Sequence, residues 1–353
     1  MFRSDPTPLL GIDVSSSSVK LVELGRNRAG VLVLERCAME PLERGWITEG
    51  NIEKFDEVAG AVRRVVRSSG SKTKNAALAL PASAVITKKI TLPEGMSDQE
   101  LEAHVESEAN QYIPFSLDEV SLDFCVIGQS ASSAGDVDVL IAASRKEKVS
   151  DRQGLAEAAG LKAVVMDIES YASRLAAGRF IQTLPNQGFN SIVALFEIGA
   201  MTTSMQVLRN EDVLYERDQA FGGAQLNQLI TRQYGFSAEE AEIKKRSGNL
   251  PDDHRVEVIE PFIESLAQEM RRALQFFFTS TPYNRVDYVL LGGGSAGLPG
   301  LTEVVTRQTA YPCRVINPFD GMNMSSHVRA RKLTREAPSY LTSTGLAMRR
   351  FYL

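Results

Sequence analysis

Three short stretches carry residue types that could hold a polyphosphate. In the first, LLGIDVSSSSVK, Asp13 lies near the end of an apolar run and is followed by Ser15, Ser16, Ser17, Ser18 and then Lys20. Small residues let backbone N–H groups approach an anion, hydroxyls add donors, and a lysine adds a point charge. In the second, LFEIGAMTT, Glu197 ends a similar apolar run and Gly199, Thr202 and Thr203 follow it. In the third, LLGGGSAGLPG, Gly292, Gly293, Gly294 and Ser295 follow a strand-like run and precede a helical pattern, where a backbone turn and a helix N-terminus can meet a ligand. Two carboxylates, Asp13 and Glu197, each beside such a turn, could share a hydrated magnesium ion between them. Taken singly, the serine run is equally a polar hairpin turn.

The elements that must position these groups follow from periodicity. Alternation around SSSS predicts a hairpin, with a third strand from Val31, and FDEVAGAVRRVV from Phe55 has the three-and-four spacing of an amphipathic helix. SDQELEAHVESEANQYIPF carries a capping box, Ser97 with Glu100, and a stop before Pro114. Leu101, Val105, Ala109 and Tyr112 make a thin apolar stripe on that helix; the rest is strongly acidic. Strands on either side suggest an α+β insert from about 85 to 165, with helices expected near 146–159 and in SYASRLAAGRF. After LPNQGFN the pattern of strand, acid, small-residue turn and strand recurs about half a chain later, which predicts a duplicated two-lobed protein. The expected lobes are 1–189, including the insert, and 190–353.

Composition narrows the classes. The chain has 353 residues, 43% of them hydrophobic, and a net charge of -5, which gives no global case for nucleic-acid binding. The basic run RARKLTR, from Arg329 to Arg335, is short and lacks interleaved aromatics. Cys37, Cys125 and Cys313 are too few and too scattered for a disulfide framework, so a reducing compartment is expected. Pro6 and Pro8 interrupt the place where a signal peptide needs its apolar centre, and no run reaches the ~18 apolar residues of a membrane helix. Membrane association is therefore expected only through a partner. His104, His254 and His327 have no metal-ligand spacing, and Ser295 lacks the context of a hydrolase nucleophile elbow. The glycine turn is not closed by a P-loop Lys-Ser or Lys-Thr pair and has no dinucleotide-binding spacing.

In their order, GIDVSSSSVK, FEIGAMTT and LLGGGSAGLPG resemble the two phosphate motifs and the adenosine motif of the actin, Hsp70 and sugar-kinase superfamily. The stretches ALPASAVITKKITLPEGMSDQELEAHVESEANQYIPF, VDVLIAASRKEKV, FGGAQLNQLI, AEEAEIKKRSG and YLTSTGLAMR further resemble the PilM family of type IV pilus assembly proteins, relatives of the cell-division actin homologue FtsA. The resemblance covers nearly the whole chain. It implies a two-lobed α/β actin-like ATPase fold, built as a duplicated ribonuclease H-like unit with an FtsA/PilM-type inserted subdomain.

It also implies roles. Asp13 would hold Mg2+ through water, with Glu197 as the second metal-side acid, and Ser15 to Ser18 with Lys20 would hold the ATP phosphates. Gly199, Thr202 and Thr203 would close the clamp, Gly222 and Gly223 would lie near the ribose, and Lys244 with Gly292, Gly293, Gly294 and Ser295 would meet the nucleoside. Glu169 falls where the superfamily places a water-orienting residue. The second phosphate motif normally begins with Asp; Glu197 is one methylene longer, and because ~1 Å of misplacement can cost ~10²-fold in rate, binding is expected to outlast turnover.

The implied role is an ATP-binding scaffold of the pilus inner-membrane platform, active in pilus biogenesis and twitching motility. It would be cytoplasmic, peripheral to the membrane, and bound to the N-terminal cytoplasmic segment of PilN. Other platform proteins, motor ATPases and self-association are further implied contacts. A small-molecule kinase of the superfamily would need an acidic base facing an open cleft, for which Glu169 is the one candidate. An FtsA-like filament-forming ATPase would call for an amphipathic membrane helix after a linker, whereas the last residues, Phe351 to Leu353, follow a domain helix directly.

Overall fold

The computed structural model describes residues 7–210 and 212–352. The first-half pattern folds as β1 (Leu10–Val14), β2 (Ser18–Arg26), β3 (Leu32–Pro41), the short pair β4 (Ile47–Thr48) and β5 (Asn51–Ile52), α1 (Phe55–Ser69) and β6 (Asn75–Leu80). The insert contributes β7 (Val85–Pro93), α2 (Asp98–Tyr112), β8 (Val120–Gln129) and β9 (Asp136–Arg145). Then come α3 (Lys146–Ala158), β10 (Lys162–Ile168) and α4 (Glu169–Ile181). The second half supplies β11 (Val193–Ile198), β12 (Thr203–Arg209), β13 (Asp212–Gln219), α5 (Gly223–Tyr234), α6 (Ala238–Ser247) and α7 (Glu260–Ser280). It ends with β14 (Tyr288–Gly292), α8 (Leu301–Thr309), β15 (Cys313–Val315), β16 (Asn323–Met324), α9 (Ala330–Glu336) and α10 (Leu341–Met348).

The duplication is visible in strand order. The first sheet runs β10-β6-β1-β2-β3-β16 and the second β13-β12-β11-β14-β15. In each, a three-stranded antiparallel meander continues through its first strand into two parallel strands. β1 and β11 are thus equivalent central strands, and burial on both faces explains why they read as continuous apolar runs.

Local chemistry sets the helix limits. In α1, Val58, Ala59, Ala61, Val62 and Val65 form the buried stripe, and Gly70 ends the helix in the left-handed region at φ 65°. In α2 the capping box forms: Ser97 Oγ accepts from the Glu100 N–H, and the Ser97 N–H donates to Glu100 Oε2 at 2.9 Å. Leu101, Val105 and Ile113 turn toward the insert sheet β7-β9-β8, while Tyr112 remains exposed beneath Lys88.

Two expected boundaries change. The three-stranded insert sheet ends at Arg145, short of 165, because α3 packs against α1 and β6 and β10 pairs with β6 in the first sheet. The expected second lobe does not keep its last segment: β16 pairs with β3, and α10 packs against β1, β2 and α4. An apolar layer between the sheets joins Val22, Leu24 and Leu34 to Leu195, Leu290 and Leu341. The long helix of the second half is entered through a five-residue π-helical turn, Arg255–Ile259, before α7. The basic run at 329–335 falls on α9, where the side chains of residues 330–332 lie outside the described set, as do residues 1–6, with Pro6, and Leu353.

Glycines permit this central packing. A Cβ on Gly11 would lie 2.1 Å from the Ser343 carbonyl oxygen, and one on Gly345 would lie 1.7 Å from that of Ala172. Both obstacles are backbone. Gly345→Val is therefore expected to destabilise the protein by at least about 3 kcal/mol in urea denaturation or to prevent folding. Gly178→Ala, on α4 with open space around it, should be neutral or stabilising by about 0.5–1 kcal/mol.

Candidate functional site

The two equivalent hairpins place their acids at corresponding points. Asp13 lies opposite Lys20 in the β1–β2 register, and Glu197 lies opposite Ser204 in the β11–β12 register. Lys20 Nζ donates to Asp13 Oδ2 at 2.8 Å and to Ser15 Oγ at 3.2 Å, both ends of the ion pair being buried. The Ser15 N–H and Oγ both close the turn on the Ser18 carbonyl. Ser16 and Ser17 are half-buried at its tip, and Ser18 is buried at the start of β2.

In the second hairpin the Gly199 N–H donates to the Thr202 carbonyl at 2.9 Å. This turn receives the loop carrying Gly222 and Gly223: the Gly223 N–H donates to the Gly199 carbonyl and the Ala224 N–H to the Ala200 carbonyl. A Cβ on Gly222 would lie 2.5 Å from the Gly199 oxygen, so glycine is required by proximity. Thr202 is exposed, whereas the Thr203 hydroxyl is turned inward and donates to the Phe221 carbonyl at 2.6 Å.

The glycine turn after β14 adjoins the second hairpin and its Gly222–Gly223 loop. Gly293, at φ 88°, passes so close to Ile198 that a Cβ would lie 2.4 Å from its carbonyl oxygen. Ser295 Oγ sits 2.9 Å from where a Gly223 Cβ would be. Gly292 and Gly293 are buried, and Gly294 is exposed. Glycine turns from distant parts of the sequence therefore form one surface at the ends of β11 and β14. Lys244 is the sequence-predicted residue not tied into it: it lies on α6 with its Nζ 4.9 Å over the Phe236 ring.

Electrostatics join the two halves. Glu169, the first residue of α4, is pushed up to about 8 by burial, with the Asp13 and Glu197 charges adding to the shift and Arg152 and Lys20 opposing it. Burial also raises Glu197, and Asp13 adds to that effect. Both carboxylates retain partial exposure, as groups on the wall of a cleft do. Asp13, Glu169 and Glu197 therefore act on one another across the molecule.

Two groups outside the expected phosphate-binding set act on these acids and were missed in the sequence. Thr342 on α10 donates to Glu197 Oε1 at 2.8 Å, so the longer acid is held by a hydroxyl 145 residues away. Arg152 on α3 is buried beside the acids. Thr342 falls in the YLTSTGLAMR stretch, which carries no expected role at this site, and no motif marks Arg152.

Among the described residues, no group of three His, Cys, Asp or Glu side chains converges to cage a metal. The donor set suits a magnesium ion carried mainly by phosphates and water, which one or two carboxylates then hold. Glycine turns with no room for a Cβ, a half-buried serine tip and acids able to hold a hydrated cation fit a bound magnesium polyphosphate.

The family model described as type IV pilus assembly protein PilM matches residues 11–351. Among solved structures, the chain is similar to the "PilM-PilN type IV pilus biogenesis complex", with 27% identity, 99% of each chain covered and a TM-score of 0.78. It is similar in fold to the ethanolamine utilization protein EutJ from Carboxydothermus hydrogenoformans, with 18% identity, 97% of this chain and 90% of that one covered, and a TM-score of 0.59. MreB5 of Spiroplasma citri bound to ADP is similar at 11% identity, with 97% and 95% covered and a TM-score of 0.51. The fold is that of the actin-like ATPases.

The crowding of acids can be tested without a ligand. From about pH 4.5 to about 8, folded Glu169 keeps a proton that the unfolded chain has lost. Its contribution to stability is present below that window, falls as pH rises through it, by at most about 1.4 kcal/mol per pH unit, and levels off above it. Urea titrations from pH 5 to 9 should show wild type losing stability relative to Glu169→Gln across this window; parallel curves would contradict the assignment.

Proposed function

The chain belongs to the type IV pilus assembly protein PilM family, and we propose that it is an ATP-binding scaffold of the pilus inner-membrane assembly platform. The observation that carries this reading is the pair of equivalent acid-bearing hairpins, the second joined by the Gly222–Gly223 loop and the β14 glycine turn, with Asp13, Glu169 and Glu197 acting on one another. Asp13 would hold magnesium through water, and the Ser15–Ser18 turn with Lys20 would face the β- and γ-phosphates. Gly199 and Thr202 would close the other side, with Thr203 fixing the Phe221 loop behind them. Gly222 and Gly223 would border the ribose, and Gly292 to Ser295 the nucleoside. Lys244 would reach the nucleoside only by leaving the Phe236 ring. The acids would lie toward the magnesium ion, which would supply the positive charge they lack, and the turns would hold the anionic phosphates.

Holding is favoured over turnover. A general base must be ionised at the working pH, yet Glu169 keeps its proton until about pH 8. Glu197 is engaged by Thr342. Both observations weigh against a fast ATPase or a small-molecule kinase, though a metal's charge would favour the ionised acids.

The partner follows from membership and from the similar PilM-PilN structure. We assign to this chain a PilN-like ligand, the short N-terminal cytoplasmic segment of a membrane protein, bound beside the insert. No helix of the described residues is long and apolar enough to cross a membrane, so attachment to the inner membrane would come through that partner.

Calorimetry tests the nucleotide reading. Wild type should bind Mg-ATP, and Asp13→Ala should weaken it at least tenfold, about 1.4 kcal/mol, while circular dichroism stays unchanged. Equal affinity in the variant would remove Asp13 from the site. A synthetic PilN N-terminal peptide should bind wild type, and any effect of ATP on its affinity must equal the effect of peptide on ATP.

A further inference from the structure

Arg152 is a cation only 2% exposed, on the helix that directly follows the insert. A buried charge is costly unless its surroundings satisfy it. Among the described residues no carboxylate lies within ion-pair distance of it; its bonds go to backbone, with Nη2 donating to the Gly50 carbonyl at 3.1 Å and Nε to that of Ala79 at 3.4 Å. The carboxylates whose fields act on it are Glu169, Asp13 and Asp151. The first two belong to the candidate site.

Its backbone partners lie where the chain enters the insert. Ala79 is the penultimate residue of β6, and Pro81 follows on the way to β7. Gly50, at φ 79° in the β4–β5 turn, packs so tightly on Pro81 that a Cβ would lie 2.6 Å from its Cγ. The chain leaves the insert at Arg145 and passes straight into α3, two turns before Arg152. Ser144 Oγ fastens the exit strand to the entry segment through the Ala84 carbonyl at 2.8 Å. β6 also lies beside β10, with Ala79 opposite Asp167 and Leu80 opposite Ile168, and the next residue is Glu169.

We propose that Arg152 is a positioning residue that ties the acidic wall of the cleft to the root of the insert. The fields of Glu169 and Asp13 act on its charge, and its planar fork holds the entry crossing, directly at Ala79 and through Gly50 at Pro81. A change of charge in the cleft therefore alters the pull on a group whose remaining bonds are to the insert's base. A ligand can shift such an arrangement only by interacting differently with its alternatives, and Arg152 provides that difference. The link rests on the nucleotide reading proposed above, because the charge that arrives is that of bound Mg-ATP.

The test combines calorimetry with hydrogen–deuterium exchange on the full chain, with and without Mg-ATP, in wild type, Arg152→Lys and Gly50→Ala. Lysine keeps the charge but cannot reproduce the fork, and Gly50→Ala keeps the arginine but displaces the hairpin whose carbonyl it holds from Pro81. In wild type, Mg-ATP should slow exchange at residues 47–52, 85–93 and 136–145 by at least about twofold. Both variants should bind Mg-ATP within about threefold of wild type and lose that slowing. The proposal fails if the response persists in both variants, if wild type binds nucleotide with no response at these segments, or if both variants lose nucleotide binding. Should Arg152→Lys not fold, Gly50→Ala decides by the same outcomes. Absence of Mg-ATP binding to wild type would overturn the nucleotide reading and this link together, and the calorimetric trace identifies that case by itself.

Discussion

Everything at the centre of this protein depends on two helices lying between two sheets at backbone distance. α4 and α10 touch through Gly345 and Ala172, and α10 lies on β1 through Gly11. Side chains at either glycine would move the helices apart by more than a packed interior tolerates. That approach fixes the chemistry. Gly11 is two residues before Asp13, α4 begins with Glu169, and α10 presents Thr342 to Glu197. The same contact that fills the core thereby sets the positions of three carboxylates supplied by three separate segments.

Charge explains why such a site is poised for a ligand. Lys20 compensates Asp13 directly, at 2.8 Å. Among the described residues Glu169 has no comparable partner; the fields of Arg152 and Lys20 favour its charge, and burial outweighs them. Glu197 has a neutral hydroxyl. The site is stable near neutral pH because one proton replaces a missing cation. On the proposed reading, the magnesium ion that accompanies the phosphates competes with that proton, so affinity and protonation are linked through the same group. A site arranged in this way favours holding its ligand, since the acid that would activate water is also the one whose proton keeps the cleft stable.

Much of this was legible in the sequence where the chemistry is local. The paired hairpins, the glycine turn after β14 and the capped α2 all carry short-range signals: alternation, small residues at turns, and a Ser-Glu pair three apart. The return of the last segment to the first sheet was not legible. LTSTGLAM in α10 is buried throughout, so it has no polar face and no helical periodicity to read. Arg152 was equally hidden, because its backbone partners are 102 and 73 residues away and carbonyls leave no trace in residue type. Lys244 shows the opposite limit. A motif expectation gave it a ligand, while the local structure offers it an aromatic face that no spacing rule demanded.

The junction between the halves is not uniformly apolar, and that has a mechanical consequence. Val22, Leu24 and Leu34 of the first sheet share a layer with Leu195, Leu208 and Leu290 of the second, which resists separation. Beside that layer, Gln206 of β12 donates to the Ser170 carbonyl and to Ser173 Oγ on α4, at 3.1 and 3.3 Å. Ser170 Oγ, Gln206 Oε1 and Thr344 Oγ1 are buried there with no protein partner among the described residues. Unpaired buried polar atoms cost stability, and a seam holding several gains more from rearranging than a fully paired one. An apolar layer permits small sliding without opening, and under-satisfied hydroxyls beside it lower the cost of exchanging one set of hydrogen bonds for another. Glu197 borders this seam through Thr342, so a ligand that draws its carboxylate into the cleft must also release the α10 hydroxyl that now holds it.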